Sequence, residues 1–107
     1  MRTHQEIDRR SLALARAIAL KIDGDPDHAG LRKAQETCSR WISIGAGVAA
    51  AEWQAILKRP WHEVRAVLLE DSEEGRRLRQ SSPFCGVLSV RERTEIYRRF
   101  RNDQTAA

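Results

Sequence analysis

LRQSSPFCGVLS, Leu78–Ser89, sets two serines, a proline, an aromatic, a thiol and a glycine inside a chain that is otherwise charged and helix-prone. Whether it is a joint between helices or a surface shown to a partner governs how the whole chain is read. Pro83 forces Ser82 out of helical geometry, and Gly86 permits a turn that a residue with a β-carbon would resist. On the N-terminal side, Asp71 and Glu74 have the spacing of a capping box that opens a short helix, EEGRRLRQ, ending at the serines. On the C-terminal side, Ser89 and Glu92 form another box and open a last helix whose apolar side is Ile96, Tyr97 and Phe100. For the fold, the stretch is therefore a shaped joint.

Outward from that joint every boundary signal is a helix start or stop. Thr3 and Glu6 form a capping box, and Ile7, Ser11, Leu14, Ile18 and Ile22 then fall on one helical stripe, which predicts a first helix over residues 4–23. Gly24 favours a left-handed exit, and Asp25 with Pro26 suits the cap and first position of the next helix. Leu31, Ala34, Cys38, Trp41 and Ile42 give that second helix its face, and the glycines at 45 and 47 end it. A third helix over 48–58 carries Trp53, Ile56 and Leu57 inward. Pro60 stops it and opens a fourth with Trp61, Val64, Val67 and Leu68 inward. No alternating run is long enough to read as a strand. The expectation is an all-α, single-domain bundle of five or six helices over residues 1–101, with 102–107 a frayed tail.

Composition agrees with a modest globular domain. The chain has 107 residues, 41% hydrophobic and 32% charged, enough to bury a core built mainly of Leu, Ile, Val and Ala. No apolar run approaches the roughly 20 residues that span a bilayer. SLALARAIAL contains Arg16 and lacks a cleavage pattern after it, so it reads as a helix, and a cytoplasmic protein is expected. Cys38 and Cys85 are too few and too far apart for a disulfide framework or paired zinc motifs, and read as free thiols.

Charge is uneven. Residues 72–101 carry eight Arg against four Glu, whereas residues 1–71 carry eleven Lys or Arg against ten Asp or Glu. Arg76, Arg77, Arg79, Arg91, Arg93, Arg98, Arg99 and Arg101 could neutralise phosphates. The run is interleaved with glutamates at helical spacing, the pattern of a solvated face, and no helix-turn-helix precedes the last helix. His4, His28 and His62 lie on different segments with no metal-ligand spacing, so neither a metal nor a cofactor is expected. Glu73 and Glu74 are neighbours that project about 100° apart on a helix and cannot flank one substrate. Cys85 has no base assigned by sequence. A non-enzymatic chain is the reading.

The stretches RRSLALARAIALKI, a Trp-centred middle, and above all SEEGRRLRQSSPF followed by Gly86, Val87 and Leu88 resemble a group of small bacterial proteins found in toxin–antitoxin-like gene pairs. In some of those pairs the neighbouring gene product resembles a nucleotidyltransferase. The resemblance implies a co-encoded partner protein and carries over no catalytic residue. Cys85 stands where the pattern leads one to expect a small residue such as Ala, which favours a packing role for it.

The functional expectation is an antitoxin-like protein that occludes the active-site cleft of a co-encoded toxin. Arg76, Arg77, Arg79, Gln80, Ser81, Ser82 and Pro83 would face the partner, and Phe84 with Gly86 would anchor the loop from beneath. Arginine suits this because its planar fork makes paired bonds to carboxylates. Trp41, Trp53 and Trp61 are either core residues or interface anchors. The alternative is a nucleic-acid-binding regulator, an autorepressor, using the Arg-rich C-terminal region; weak DNA binding is the expectation under the first reading. The sequence assigns no oligomeric state.

Overall fold

The computed structural model describes the backbone of residues 4–45 and 47–105, and side chains over 5–45 and 47–101. Among these residues the chain forms six helices: α1 His4–Asp23, α2 Ala29–Ser43, α3 Val48–Leu57, α4 Trp61–Leu68, α5 Glu73–Gln80 and α6 Val90–Thr105. No strand occurs among them, and none of the helices is long and apolar enough to cross a membrane. Helices α2 and α3 make the most extensive pair, and α1 touches α2, α4, α5 and α6. The core is one cluster, with Trp53, Phe84, Ile22, Leu68 and Val64 fully buried within it.

Local chemistry accounts for most helix ends. Ser89 and Glu92 cap α6 reciprocally: the Ser89 amide donates to Glu92 Oε1 (2.8 Å) and the Glu92 amide donates to Ser89 Oγ (3.1 Å). The box satisfies two amides at the helix entrance. Pro60 precedes α4, and its extended ψ of 151° turns the chain into that helix. Gly45 and Gly47 hold φ of 78° and 90° between α2 and α3, conformations a β-carbon would resist.

Three ends differ from the sequence reading. The cap of α5 is Ser72, not Asp71: its Oγ accepts from the Gly75 amide (3.1 Å) and donates to Glu70 Oε2 (2.6 Å). A hydroxyl one residue later completes the same three-residue geometry. Asp25 and Pro26 lie in a turn ahead of α2 instead of opening it. The Asp25 carboxylate accepts from the Asp27 and Ala29 amides, and His28, at φ 49°, is the residue before the helix. The third difference is at the C-terminus, where α6 continues to Thr105, past the boundary expected at residue 101. The Thr3–Glu6 box involves Thr3, which lies outside the described residues.

The apolar stripe of α1 divides along its length. Leu12, Ala15, Ile18, Ala19 and Ile22 are buried, whereas Ile7 is 50% exposed and Ser11 and Leu14 are half-buried. The N-terminal part of the stripe meets an open space instead of solid core. Trp53 is wholly buried and its indole N–H donates to the Leu78 carbonyl (2.9 Å), so it is a core residue. Trp41 and Trp61 are half-buried, and the Trp61 indole N–H donates to Asp23 (2.7 Å). Both cysteines are free; Cys38 is buried, its thiol donating to the Ala50 carbonyl (3.1 Å).

Candidate functional site: an arginine-lined pocket

Helix α5 presents Gly75, Leu78 and Arg79 to the interior, residues that share one helical face. Gly75 is required there because a β-carbon would overlap the Glu70 carbonyl. That close approach brings the end of α4 and its exit within reach of Arg79. The Arg79 guanidinium donates through Nη1 to the carbonyls of Glu70 (2.6 Å) and Leu68 (3.3 Å), and through Nε to Ser11 Oγ of α1 (3.1 Å). A cation at the C-terminal end of α4 also meets the negative end of that helix. Arg79 is 8% exposed. Burial lowers its pKa, an effect opposed by Asp71 and Asp8.

The other two α5 arginines also bind within the chain. Arg76 reaches Asp8 of α1 (3.3 Å). Arg77 grips Glu52 of α3 with two bonds (3.0 and 2.8 Å) and also pairs with Glu74. Those bonds raise the Arg77 pKa and hold Glu52 and Glu74 below the usual carboxylate range. Arg76, Arg77 and Arg79 thus each link α5 to a neighbouring helix, Arg77 from an exposed position and Arg79 from a buried one. The reason is register: α5 lies between α1, α3 and α4, each of which supplies acceptors.

The loop after α5 is a joint with one open edge. Phe84 is fully buried against Trp53 (centroids 5.8 Å apart, edge-on) and Trp61 (6.4 Å), the anchor expected of it. Pro83 is buried beside it. The Ser82 hydroxyl accepts from the Phe84 amide (3.1 Å), and Ser81, half-buried, bonds the Leu78 carbonyl (3.4 Å). Gly86 does not anchor the loop through special geometry. Its φ is not positive, and an added β-carbon would meet only the Lys33 side chain, at 3.4 Å. Cys85 is exposed, contrary to a packing role.

Between α1, α5, the loop and α6 lies a pocket of about 390 Å³. Its apolar lining includes Leu14, Ile18, Leu68 and Leu88, the last three buried. Its polar lining comes from Ser11, Gln80, Ser82, Cys85 and Tyr97, with three arginines, Arg10, Arg79 and Arg93. Among the described residues no Asp, Glu or His lines it. Arg10 stacks on Tyr97, its Cζ 4.1 Å from the ring centroid, and its buried Nε has no hydrogen-bond partner. Arg79 Nη2 is likewise buried and without a partner. Arg93, half-buried, forms no ion pair among the described residues.

Of the residues expected at a site, Arg79, Gln80 and Ser82 line this pocket, whereas Arg76, Arg77, Ser81, Pro83, Phe84 and Gly86 do not. Sequence reading missed Arg10, Ser11 and Tyr97 as site residues. Ser11 carried a signal, as the one hydroxyl on an apolar stripe; Arg10 carried none. Among the described residues no cluster of three or more His, Cys, Asp or Glu is placed to hold a metal ion. No family model, curated protein or solved structure matches the chain. The class is therefore defined by geometry: an all-α bundle with a cationic, apolar-backed pocket.

Proposed function

We propose that this chain is a non-enzymatic binding protein that restrains a co-encoded partner, antitoxin-like in role, by receiving an acidic side chain of that partner in the pocket between α1, α5 and α6. One observation carries this reading. Three arginines, Arg10, Arg79 and Arg93, line one apolar-backed pocket, and among the described residues no carboxylate lines it. Like charges gathered beside an apolar wall favour an incoming carboxylate, which guanidinium groups bind through charge-assisted hydrogen bonds.

The fit is the inverse of the one expected from sequence. Arg79, buried and bonded to α1 and to the end of α4, is held back from a partner's cleft; the pocket it lines with Arg10 and Arg93 can enclose a group that the partner projects. Ile7, half-exposed at the lining, adds apolar contact area. Among the described residues the pocket lining sets neither His nor carboxylate beside Cys85 and the serines.

The test co-expresses the chain with the product of the adjacent gene and titrates the purified pair. A complex is expected that loses little affinity between 50 and 200 mM salt, whereas about six phosphate contacts would cost roughly a thousandfold. Arg93→Glu is expected to weaken it at least about tenfold, with Arg91→Glu, on the exposed part of α6, near neutral. Absence of a complex, or equal sensitivity at both positions, overturns the reading. The regulator alternative draws on exposed Arg91, Arg98 and Arg99, of which Arg98 already pairs with Glu95 (3.1 Å). Nanomolar sequence-specific DNA binding by the isolated chain would favour it.

A further inference from the structure

The pocket has two chemically distinct parts, and their combination specifies more than attraction to acid. Leu14, Ile18, Leu68 and Leu88 supply an apolar wall, while Arg79 and Arg93 supply cationic donors beside it. A bare inorganic anion would leave that wall wet, and a purely apolar molecule would leave the lining arginines without a counter-charge. We infer that the pocket is a site for a free amphiphilic anion: one carboxylate on an unbranched apolar body of about ten non-hydrogen atoms. This goes beyond the partner reading and is tested without a partner.

Size follows from the volume. About 390 Å³ equals roughly a dozen water volumes at about 30 Å³ each, within the range of pockets that take small organic ligands. The charge of the ligand follows from the lining, which carries three arginines and, among the described residues, no carboxylate. Its head group follows from the Arg93 guanidinium, unengaged among the described residues, whose planar fork matches a planar carboxylate. Arg79 is positioned in advance, because its Nε and Nη1 are already held by Ser11, Leu68 and Glu70. Those three bonds fix the position of the Arg79 charge, and Arg93, which makes no ion pair among the described residues, supplies donors for a ligand. Arg10 is braced in a different way, by its stack on Tyr97. A site whose cations are held in place before binding loses little side-chain entropy on occupancy.

The experiment titrates the isolated full chain with octanoate, octan-1-ol and acetate, followed by amide chemical shifts and by melting temperature. Octanoate is expected to saturate at or below about 1 mM, a reasonable affinity for a ligand of this size. Its shifts should centre on Leu14, Ser82, Leu88 and Arg93. Octan-1-ol, with the tail and no charge, and acetate, with the head and no tail, are each expected to bind at least about tenfold more weakly.

Arg93→Gln is the decisive variant, because Arg93 holds no other helix and its loss leaves the fold intact; it should weaken octanoate at least about fivefold. Arg79→Gln is not used alone, since it removes links to α4 and α1. The inference is overturned by alcohol binding as tightly as the acid, by an unchanged affinity in Arg93→Gln, by shifts centred on α2 and α3, or by no saturation up to about 5 mM.

Discussion

Arg79→Ala separates a fold role from a display role. Were the side chain outward, its truncation would change stability by less than about 0.5 kcal/mol. The structure instead has it donating to the Leu68 and Glu70 carbonyls and to Ser11 Oγ, at 8% exposure. Charge-assisted hydrogen bonds contribute about 1.5–3 kcal/mol each. Two of them go to backbone carbonyls at the end of α4 that have few other donors once the guanidinium is gone. Against their loss stands the relief of no longer burying a cation, which is worth a few kcal/mol in the opposite sense. The net expectation is destabilisation by about 2–4 kcal/mol, because truncation leaves the acceptors behind while removing only one partner. Urea unfolding monitored by circular dichroism measures it, with the slope unchanged if only stability has moved. The melting temperature should fall by about 10 °C or more for a domain of this size. Arg79→Lys should lie between, since one ammonium cannot serve Ser11 and both carbonyls with the same geometry. A midpoint for Arg79→Ala indistinguishable from the parent refutes the strapping role and with it the fixed guanidinium of the pocket.

Gly75→Ala should cost about 1–3 kcal/mol or more, because the new methyl overlaps the Glu70 carbonyl, which is backbone and cannot rotate aside; thermal unfolding checks it, with Gly86→Ala as the near-neutral control. Phe84→Ala should destabilise by about 3–5 kcal/mol, since the ring is fully buried between Trp53 and Trp61. Cys85→Ser, at an exposed position, should leave unfolding unchanged. Acid stability carries a signature of Glu92, whose carboxyl is held down from 4.5 to about 2 by Lys21 and the Ser89 amide. Its pKa is depressed in the folded state, so its contribution is present above about 4.5 and is lost as pH falls toward 2. Glu92→Gln should flatten the stability curve across that interval and leave its slope near pH 7 unchanged; an unaltered acid limb would remove Glu92 from the account.

The sequence alone determined the helices. Their signals span three or four residues, and so does the physics behind them: Ser89 and Glu92 satisfy each other's amides across three residues, the glycines at 45 and 47 permit a backbone that other residues resist, and Pro60 stops one helix and starts the next. Phe84 was readable as an anchor because an aromatic beside a proline in a polar loop has few places to go but inward. Even the misplaced caps erred by little, Ser72 for Asp71 and Asp25 used from a turn ahead of α2, because neighbouring side chains compete for the same amides. The direction of Arg79 had no such local cause. Its acceptors are 9, 11 and 68 residues away, and they converge only once Gly75 lets the Glu70 backbone lie against α5. Gly75 reads in sequence as a weak helix residue, and Arg10 as one more charge on a solvated face. The pocket exists only between elements, where α1, α5, the loop and α6 meet with an arginine from each helix, so no periodicity within any one of them could announce it. A guanidinium on a flexible stem points wherever the packed helices leave an acceptor, and only the tertiary structure decides where that is.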